Sequence, residues 1–547
     1  MSHQLKQLLA ERISAGLKRK TITSCSKWTE AYRKMGQPYP GNWSFKHHPW
    51  ARGMHDCDAE MMVGQKGAQL CYTEVALNKS FYNIDVHGNS VLYVLPSSTP
   101  DASDFSTSRF DPALEMSPHL ANLFSDVKNI GHKRAGSANL FLRGSRSRNQ
   151  LKSIPVSFAA IDEVDEMVQQ NIPLIFERMS GQLSKQSFLL STPTIEHYGI
   201  NAYYEQSSQN HFFFQCPSCS RLTEFTFPEC LEITAEHWSD PAIFNSSLKC
   251  KECKNKLSHK GKYEYLGKGD WISGFTDRIV QGFHINQLYS STVRPDEIAV
   301  SYLKGKENPS DEQEFWNSKM GMPHEPEGAR VSDADIQSCI GSFKMQDIAP
   351  AGALVTMGVD VGKWIHYEIT QYFMDKLNVD VNTSARGRVL TVGKVRNFEE
   401  LDHKMRRYQV NFCVIDANPE RRKALEFAQR FWGHVKLCFY ARGISTKVIT
   451  LHKAEQHTVS VDRTNWLDLS LGRIRLTKIA IPVDVPIEYK DHLKNLVRIV
   501  EKDRDGNPVA RYMKTGEDHY AHARNYNEIA LQLVATFAQS HDISRAP

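Results

Sequence analysis

The chain has 547 residues, 41% hydrophobic and 24% charged, with 67 Lys and Arg against 62 Asp and Glu for a formal net charge of +5. At roughly 100–200 residues per domain, this length suggests about three to five domains. No apolar run nears the roughly 18 residues of a membrane span, which excludes a spanning helix and points to a soluble globular protein, and a charge this small excludes inferring nucleic-acid binding from the total alone.

Residues 1–55 read as a polar, partly helical leader. Its start, MSHQLKQLLAERISAGLKRK, alternates polar and apolar residues at helical spacing and lacks the apolar core of a secretion signal, so the protein is expected to stay where it is made. The leader ends in YPGNWSFKHHPWARGM, which has neither strand nor helix periodicity.

From residue 56 onward, apolar runs at 91–96, 156–162 and 187–193 alternate with helical or loop segments, the pattern of a parallel α/β sheet. Before the first run lies KGAQLCYTE, residues 66–74. A phosphate loop of the form G-x-x-x-x-G-K-[ST] needs a second Gly and a Lys where this chain has Cys71 and Tyr72. The chemistry asks for backbone N–H groups around the phosphates, a cation on the β and γ oxygens, and a hydroxyl on Mg2+. Thr73 supplies the hydroxyl, Gly67 and Ala68 permit a tight turn, and Lys66 is long enough to reach back over the phosphates; Gln69 and Tyr72 complete the nucleotide-side set. In isolation the nine residues also read as a turn leading into an amphipathic helix.

The run Phe158-Ala-Ala-Ile-Asp162-Glu163 delivers two carboxylates at a strand's C-terminal end, where open α/β sheets bind ligands. Asp162 suits Mg2+ and Glu163 suits polarising the attacking water; apolar runs ending in Asp-Glu also arise by chance. The loop LRGSRSRNQLKS (142–153) offers Arg143, Arg146 and Arg148 for a transition-state arginine, with Arg146 and Arg148 favoured, or for DNA phosphates.

Eleven cysteines without a secretion signal argue against a disulfide framework. Four form two C-x-x-C knuckles, Cys216/Cys219 and Cys250/Cys253, within an insertion of short strands at about 212–256. Each knuckle turns two thiolates toward one tetrahedral ion, so a structural Zn2+ is expected, the alternative being buried thiols. Cys230 and Cys339 read as core residues. Lys249–Lys268 holds seven lysines and two glutamates, 7 − 2 = +5, either a DNA grip or a solvated loop.

Residues 331–352 read as a linker after an ATPase domain at 56–330. A second α/β domain at 353–547 has strand-like runs at 353–362, 412–417, 435–441 and 458–464 and a final helix from about Asn525 to Ser540. Asp360 and Asp416 end two of these strands, and strand-end carboxylates can converge on Mg2+ or Mn2+ that hold an attacking water and a leaving oxygen. Asp518 offers a third carboxylate, with His522 on the same helical face. Such aspartates also simply cap turns.

A loop with Lys at its start and Tyr before the hydroxyl resembles the deviant Walker A motif of the large terminase subunits of tailed phages, especially the phage lambda type. IDE (161–163) resembles the Walker B motif and LLSTPT (189–194) the coupling motif; the C-x-x-C pair and GFHINQLYS (282–290) are similar to lambda-type members, so the resemblance covers most of the chain. It implies a P-loop ATPase of the ASCE type joined to a ribonuclease H-like nuclease, packaging viral double-stranded DNA and cutting concatemers. Lys66 would bind phosphates, Thr73 the Mg2+, and Ser191 to Thr194 would relay the nucleotide state. FKHHPWARGM (45–54) looks like the adenine-side segment but lacks the usual Gln. In the nuclease, Asp360, Asp416 and Asp518 match the family's acidic order. His522 stands where a second Asp is common, Glu517 is a substitute, and His519 or His522 would position water or DNA. The implied partners are a small terminase subunit, the portal of the procapsid and further copies of the chain, in the host cytoplasm. Two rivals are a helicase or repair nuclease, whose late arginine motifs are not seen after residue 330, and a non-enzymatic zinc-bearing DNA-binding scaffold.

Overall fold

The computed structural model describes residues 24–124, 127–345, 353–373, 384–441, 449–451, 456–502 and 508–543. The helical reading of residues 1–23 therefore lies outside the described residues. The chain divides into two compact units, Met1–Glu325 and Pro326–Pro547.

The first unit is built on a mainly parallel sheet. Strands β1 (Met61–Lys66), β2 (Val91–Leu95), β3 (Ala138–Gly144), β4 (Phe158–Asp162), β5 (Gln186–Ser191), β6 (Asn210–Gln215) and β7 (Gln281–Ile285) lie in the order β6-β7-β1-β5-β4-β2-β3, each neighbouring pair parallel. β2 and β4 are buried at every position, as expected of apolar strands covered on both faces. β5 separates the phosphate-loop strand β1 from the acidic strand β4, so three motifs distant in sequence end side by side at one sheet edge. Helix α1 (Tyr72–His87) follows β1.

The second unit has strands β8 (Leu354–Val361), β9 (Ile365–Phe373), β10 (Arg386–Val395), β11 (Phe412–Asp416), β12 (Val435–Tyr440) and β13 (Thr458–Val461), in the order β13-β12-β11-β8-β9-β10. The run β8-β9-β10 is antiparallel, whereas β8, β11, β12 and β13 are parallel, a ribonuclease H-like arrangement.

Two sequence expectations change here. Residues 331–352 were expected to form a linker, but α2 (Asp333–Cys339) begins with a Ser332/Asp335 capping box and buries Ile336 and Cys339 with Leu467, Leu471 and Ile474. The first part of that segment thus belongs to the second unit's core, and residues 346–352 lie outside the described residues. The final helix α3 spans His519–Ile543, starting earlier than its apolar periodicity suggests. Its early turns are polar yet buried, because Arg524 pairs with Glu368 and Glu528 with Arg473. Gly358 on β8 permits this packing: a Cβ there would overlap the Ala523 carbonyl of α3.

Candidate functional site

The phosphate loop runs from Lys66, the last residue of β1, to Tyr72, the first of α1. Gln69 and Cys71 take left-handed backbone conformations, φ 59° and 76°. Gly67 is needed for a close approach, since a Cβ there would stand 2.9 Å from the Lys319 carbonyl. Gly67 N–H donates to the Ile285 carbonyl (2.9 Å) and Ala68 N–H to that of Ser318 (2.7 Å). These two residues therefore anchor the loop, and the amides left for a phosphate are those of residues 69–73 at the start of α1, where helical N–H groups lack intrahelical partners. Tyr72, counted with the nucleotide side from the sequence, sends its ring into the core: it is 1% exposed, its hydroxyl donates to the Phe283 carbonyl and its ring lies against Gly64. Only its backbone serves the loop.

The loop opens on a cleft of about 560 Å3 whose far wall includes Gln37, Tyr39, Trp43, His47 and His48. Tyr39 and His47 stack at 3.7 Å. Of the segment 45–54, only His47 and His48 face the cleft; Trp50 instead donates from Nε1 to the Leu70 carbonyl and props the loop. Gln37, upstream of that segment, supplies a cleft-side amide that inspection of 45–54 alone missed.

None of the three candidate arginines lines this cleft. Arg143 donates to the Gly131 and Leu142 carbonyls, and Arg146 and Arg148 are exposed elsewhere. The arginine that does line it is Arg109, 3.7 Å from Glu74 in the first turn of α1. No motif flags Arg109 in the sequence; the pairing comes from the fold.

Across from the loop, Asp162 ends β4 and is 2% exposed. Its Oδ2 accepts from the Tyr93 hydroxyl at 2.7 Å, while its buried Oδ1 has no protein partner among the described residues. Burial and the Glu163 charge push its carboxyl up to about 6, against Lys66 and the Tyr93 and Thr73 hydroxyls. An orphaned carboxylate oxygen beside a threonine hydroxyl fits a Mg2+ site. Glu163 has a left-handed backbone (φ 60°), a strained conformation typical of functional positions, and its carboxylate lies 3.7 Å from Lys66 Nζ. Lys66 Nζ also donates to Thr192 Oγ1 at 3.3 Å. Asp165, a residue the sequence reading passed over, accepts from Thr194 N–H and Ile200 N–H, each at 2.7 Å, and ties the segment after β4 to the one after β5.

The two knuckles are backbone copies of each other. Cys216 and Cys250 each accept a sulfur hydrogen bond from the amide two residues on (3.4 Å), and each knuckle ends in a left-handed residue, Ser220 or Lys254. A sulfur from each of Cys216, Cys219, Cys250 and Cys253 lies within 4.8 Å of the others, with Cys216 and Cys253 at 3.9 Å. Zn–S bonds of about 2.3 Å in a tetrahedron need sulfurs roughly this far apart. Of the seven lysines nearby, Lys251 pairs with Glu224, Lys256 with Glu232, and Lys262 is buried with its amine on the Ser290 carbonyl. The +5 segment is thus less available as a grip than its composition suggests.

In the second unit Asp360 and Asp416 stand near the ends of adjacent parallel strands, β8 and β11. Burial and the neighbouring Asp360 charge push the Asp416 carboxyl up to about 6. Asp518, the third carboxylate expected, sits one residue before α3. Its carboxylate is taken by Lys514 (2.6 Å) and His522 (3.3 Å), which outweigh burial and hold it well below the usual carboxylate range. The α3 residue on Asp360 is His519, its Nδ1 2.8 Å from Oδ2. Glu517 instead faces His492 at 3.6 Å, and His522 is also bonded to the Tyr440 hydroxyl.

The family model described as "Phage terminase large subunit gpA, ATPase domain" matches residues 37–271, and that described as "Terminase large subunit gpA, endonuclease domain" matches residues 280–535. Among solved structures, the chain is similar to the large terminase of bacteriophage HK97 (11% identity, 92% of this chain and 98% of that chain, TM-score 0.47). It is also similar to the large terminase of a thermophilic bacteriophage (9% identity, 87% and 94%, TM-score 0.30) and to the magnesium-bound large terminase nuclease of the thermophilic phage G20c (14% identity, 37% and 98%, TM-score 0.25). No curated protein matches it.

Proposed function

The chain belongs to the tailed-phage terminase large subunits, with the ATPase and endonuclease domains that package and cut DNA, and from that premise we propose how its residues divide the work. The observation that carries the proposal is the meeting of Lys66, Thr73, Asp162, Glu163 and Thr192 at one sheet edge. Lys66 and the amides of residues 69–73 hold the phosphates of ATP, and Gln37 and the Tyr39/His47 stack supply the wall for its base. Thr73 and Asp162 would hold Mg2+, which supplies charge neutralisation at the β and γ phosphates. Glu163 orients the attacking water. Thr192 and Asp165 pass the state of the site to the segment after β5. Arg109 faces the chain's own nucleotide, while Arg146 and Arg148, exposed away from it, suit a neighbouring copy or DNA phosphates.

Cys216, Cys219, Cys250 and Cys253 would hold a Zn2+ that cross-links the insertion. Lys254, Lys260 and Lys268, exposed around it, grip duplex DNA through its phosphates, in a salt-sensitive way. Asp360 and Asp416 would hold the nuclease metal, and Asp518 orders the start of α3. The small terminase subunit, the portal of the procapsid and further copies of this chain are its partners, in the host cytoplasm.

Lys66→Ala and Asp360→Ala, assayed separately for ATP hydrolysis and DNA cleavage, test this division. Lys66→Ala loses hydrolysis and Asp360→Ala loses cleavage; retention of both activities by both variants overturns it.

A further inference from the structure

We propose that the metal centre at Asp360 is a mixed carboxylate and imidazole site, with His366 and His519 as ligands, that favours divalent transition ions over Mg2+, with Mn2+ as the spectroscopic probe. The inference rests on placing the nuclease centre at Asp360. Asp360 and His366 are directly opposed in the antiparallel pair β8–β9, so their side chains share one face of the sheet. His519, the first residue of α3, joins them from above, and a ligand atom from each of the three lies within 4.8 Å of the other two. The rings of His366 and His519 stack at 4.7 Å and 7°, an arrangement that sets their edges side by side.

An independent observation points to a ligand. His366 is 3% exposed, and its Nδ1 has no hydrogen-bond partner among the described residues. A buried ring nitrogen left unpaired costs free energy that a coordinated cation would offset. Asp518, the other carboxylate expected here, pairs with Lys514 and His522. Mg2+ favours oxygen ligands and retains its waters, whereas imidazole suits transition ions.

The test uses the full chain carrying Asp162→Asn, which keeps Mn2+ out of the ATPase cleft. Mn2+ affinity is measured by titration, and the bound ion is examined by electron spin echo spectroscopy for coupling to 14N. The expected result is nitrogen coupling that weakens in His366→Ala and in His519→Gln and vanishes in the double variant. Each single variant should lower Mn2+ affinity by at least about tenfold, with a smaller loss for Mg2+. His519→Gln, at a half-buried position, keeps the test valid if His366→Ala fails to fold. Mn2+ bound at Asp360 without nitrogen coupling overturns the imidazole assignment alone; no Mn2+ binding that Asp360→Asn removes overturns the placement of the centre as well.

Discussion

The ammonium of Lys66 lies 3.3 Å from the hydroxyl of Thr192, joining the start of the phosphate loop to the segment that leaves β5. A cation that must be released toward phosphates and a hydroxyl just past the adjacent strand form a two-position contact. Thr192→Val removes the acceptor while keeping the shape. The expected outcome is ATP affinity near that of the parent and DNA-stimulated ATPase lowered about tenfold, the scale of one hydrogen bond to a charged group. Steady-state ATPase with and without duplex DNA checks it; an unchanged stimulation ratio would remove Thr192 from the relay.

Tyr72 occupies the position at which an ordinary phosphate loop carries its lysine, but its ring is buried against Gly64 and Phe188. Tyr72→Lys should not rescue Lys66→Ala. It would place an ammonium in an apolar pocket at a cost of several kcal/mol. Thermal unfolding should show a large loss of stability and the ATPase assay no recovery, whereas full rescue would contradict the separate geometry assigned to Lys66.

Arg109 and the pair Arg146/Arg148 are separable by concentration. In dilute chain, Arg109→Ala should lower the ATPase turnover about a hundredfold or more if it stabilises the transition state, with Arg146→Ala/Arg148→Ala within about twofold of the parent. In assembled motors the double variant should fall too. A dilute-chain loss confined to the double variant would reverse the assignment.

The cysteine cage predicts about one Zn2+ per purified chain by elemental analysis. Cys219→Ser should lose the metal and lower the melting temperature, because binding energy at a structural zinc site is folding energy. A metal-free chain of the same stability would leave the four thiols as core residues only.

Lys262 gives a pH signature. Burial pushes its amine down to about 7 from the ordinary 10.5. The folded state therefore holds fewer protons than the unfolded state between those values, and stability rises with pH across that window. This contribution is complete above the unfolded value and is lost as pH falls through the folded one. The melting temperature of the parent minus that of Lys262→Met should increase by a few degrees from pH 7.5 to 10. A flat difference would mean that the amine stays charged in the fold.

Much of the architecture was legible in the chain. Runs such as VLYVL and FAAID are apolar at every position and became the doubly covered strands β2 and β4. β9 was harder to see because buried Glu368, Thr370 and Gln371 interrupt its apolar character. The start of α3 was hidden for the same reason, since its buried polar residues are partnered from other elements. At the sites, Lys66, Thr73, Asp162, Glu163 and the four cysteines were visible because spacing along one segment is sufficient to suggest their chemistry. Arg109, Gln37 and Asp165 were not, because each acts across a gap that only chain folding closes.

Local chemistry in the order of residues therefore specified which functional groups exist: a loop with a displaced cation, an acidic strand end, two thiolate knuckles and strand-terminal aspartates. Tertiary structure decided which of those groups meet. It turned Tyr72 inward, spent the amides of Gly67 and Ala68 on anchoring, and brought His519 onto Asp360. The reason is that a side chain's partner is set by strand order, helix packing and burial, and these depend on contacts hundreds of residues apart in the chain.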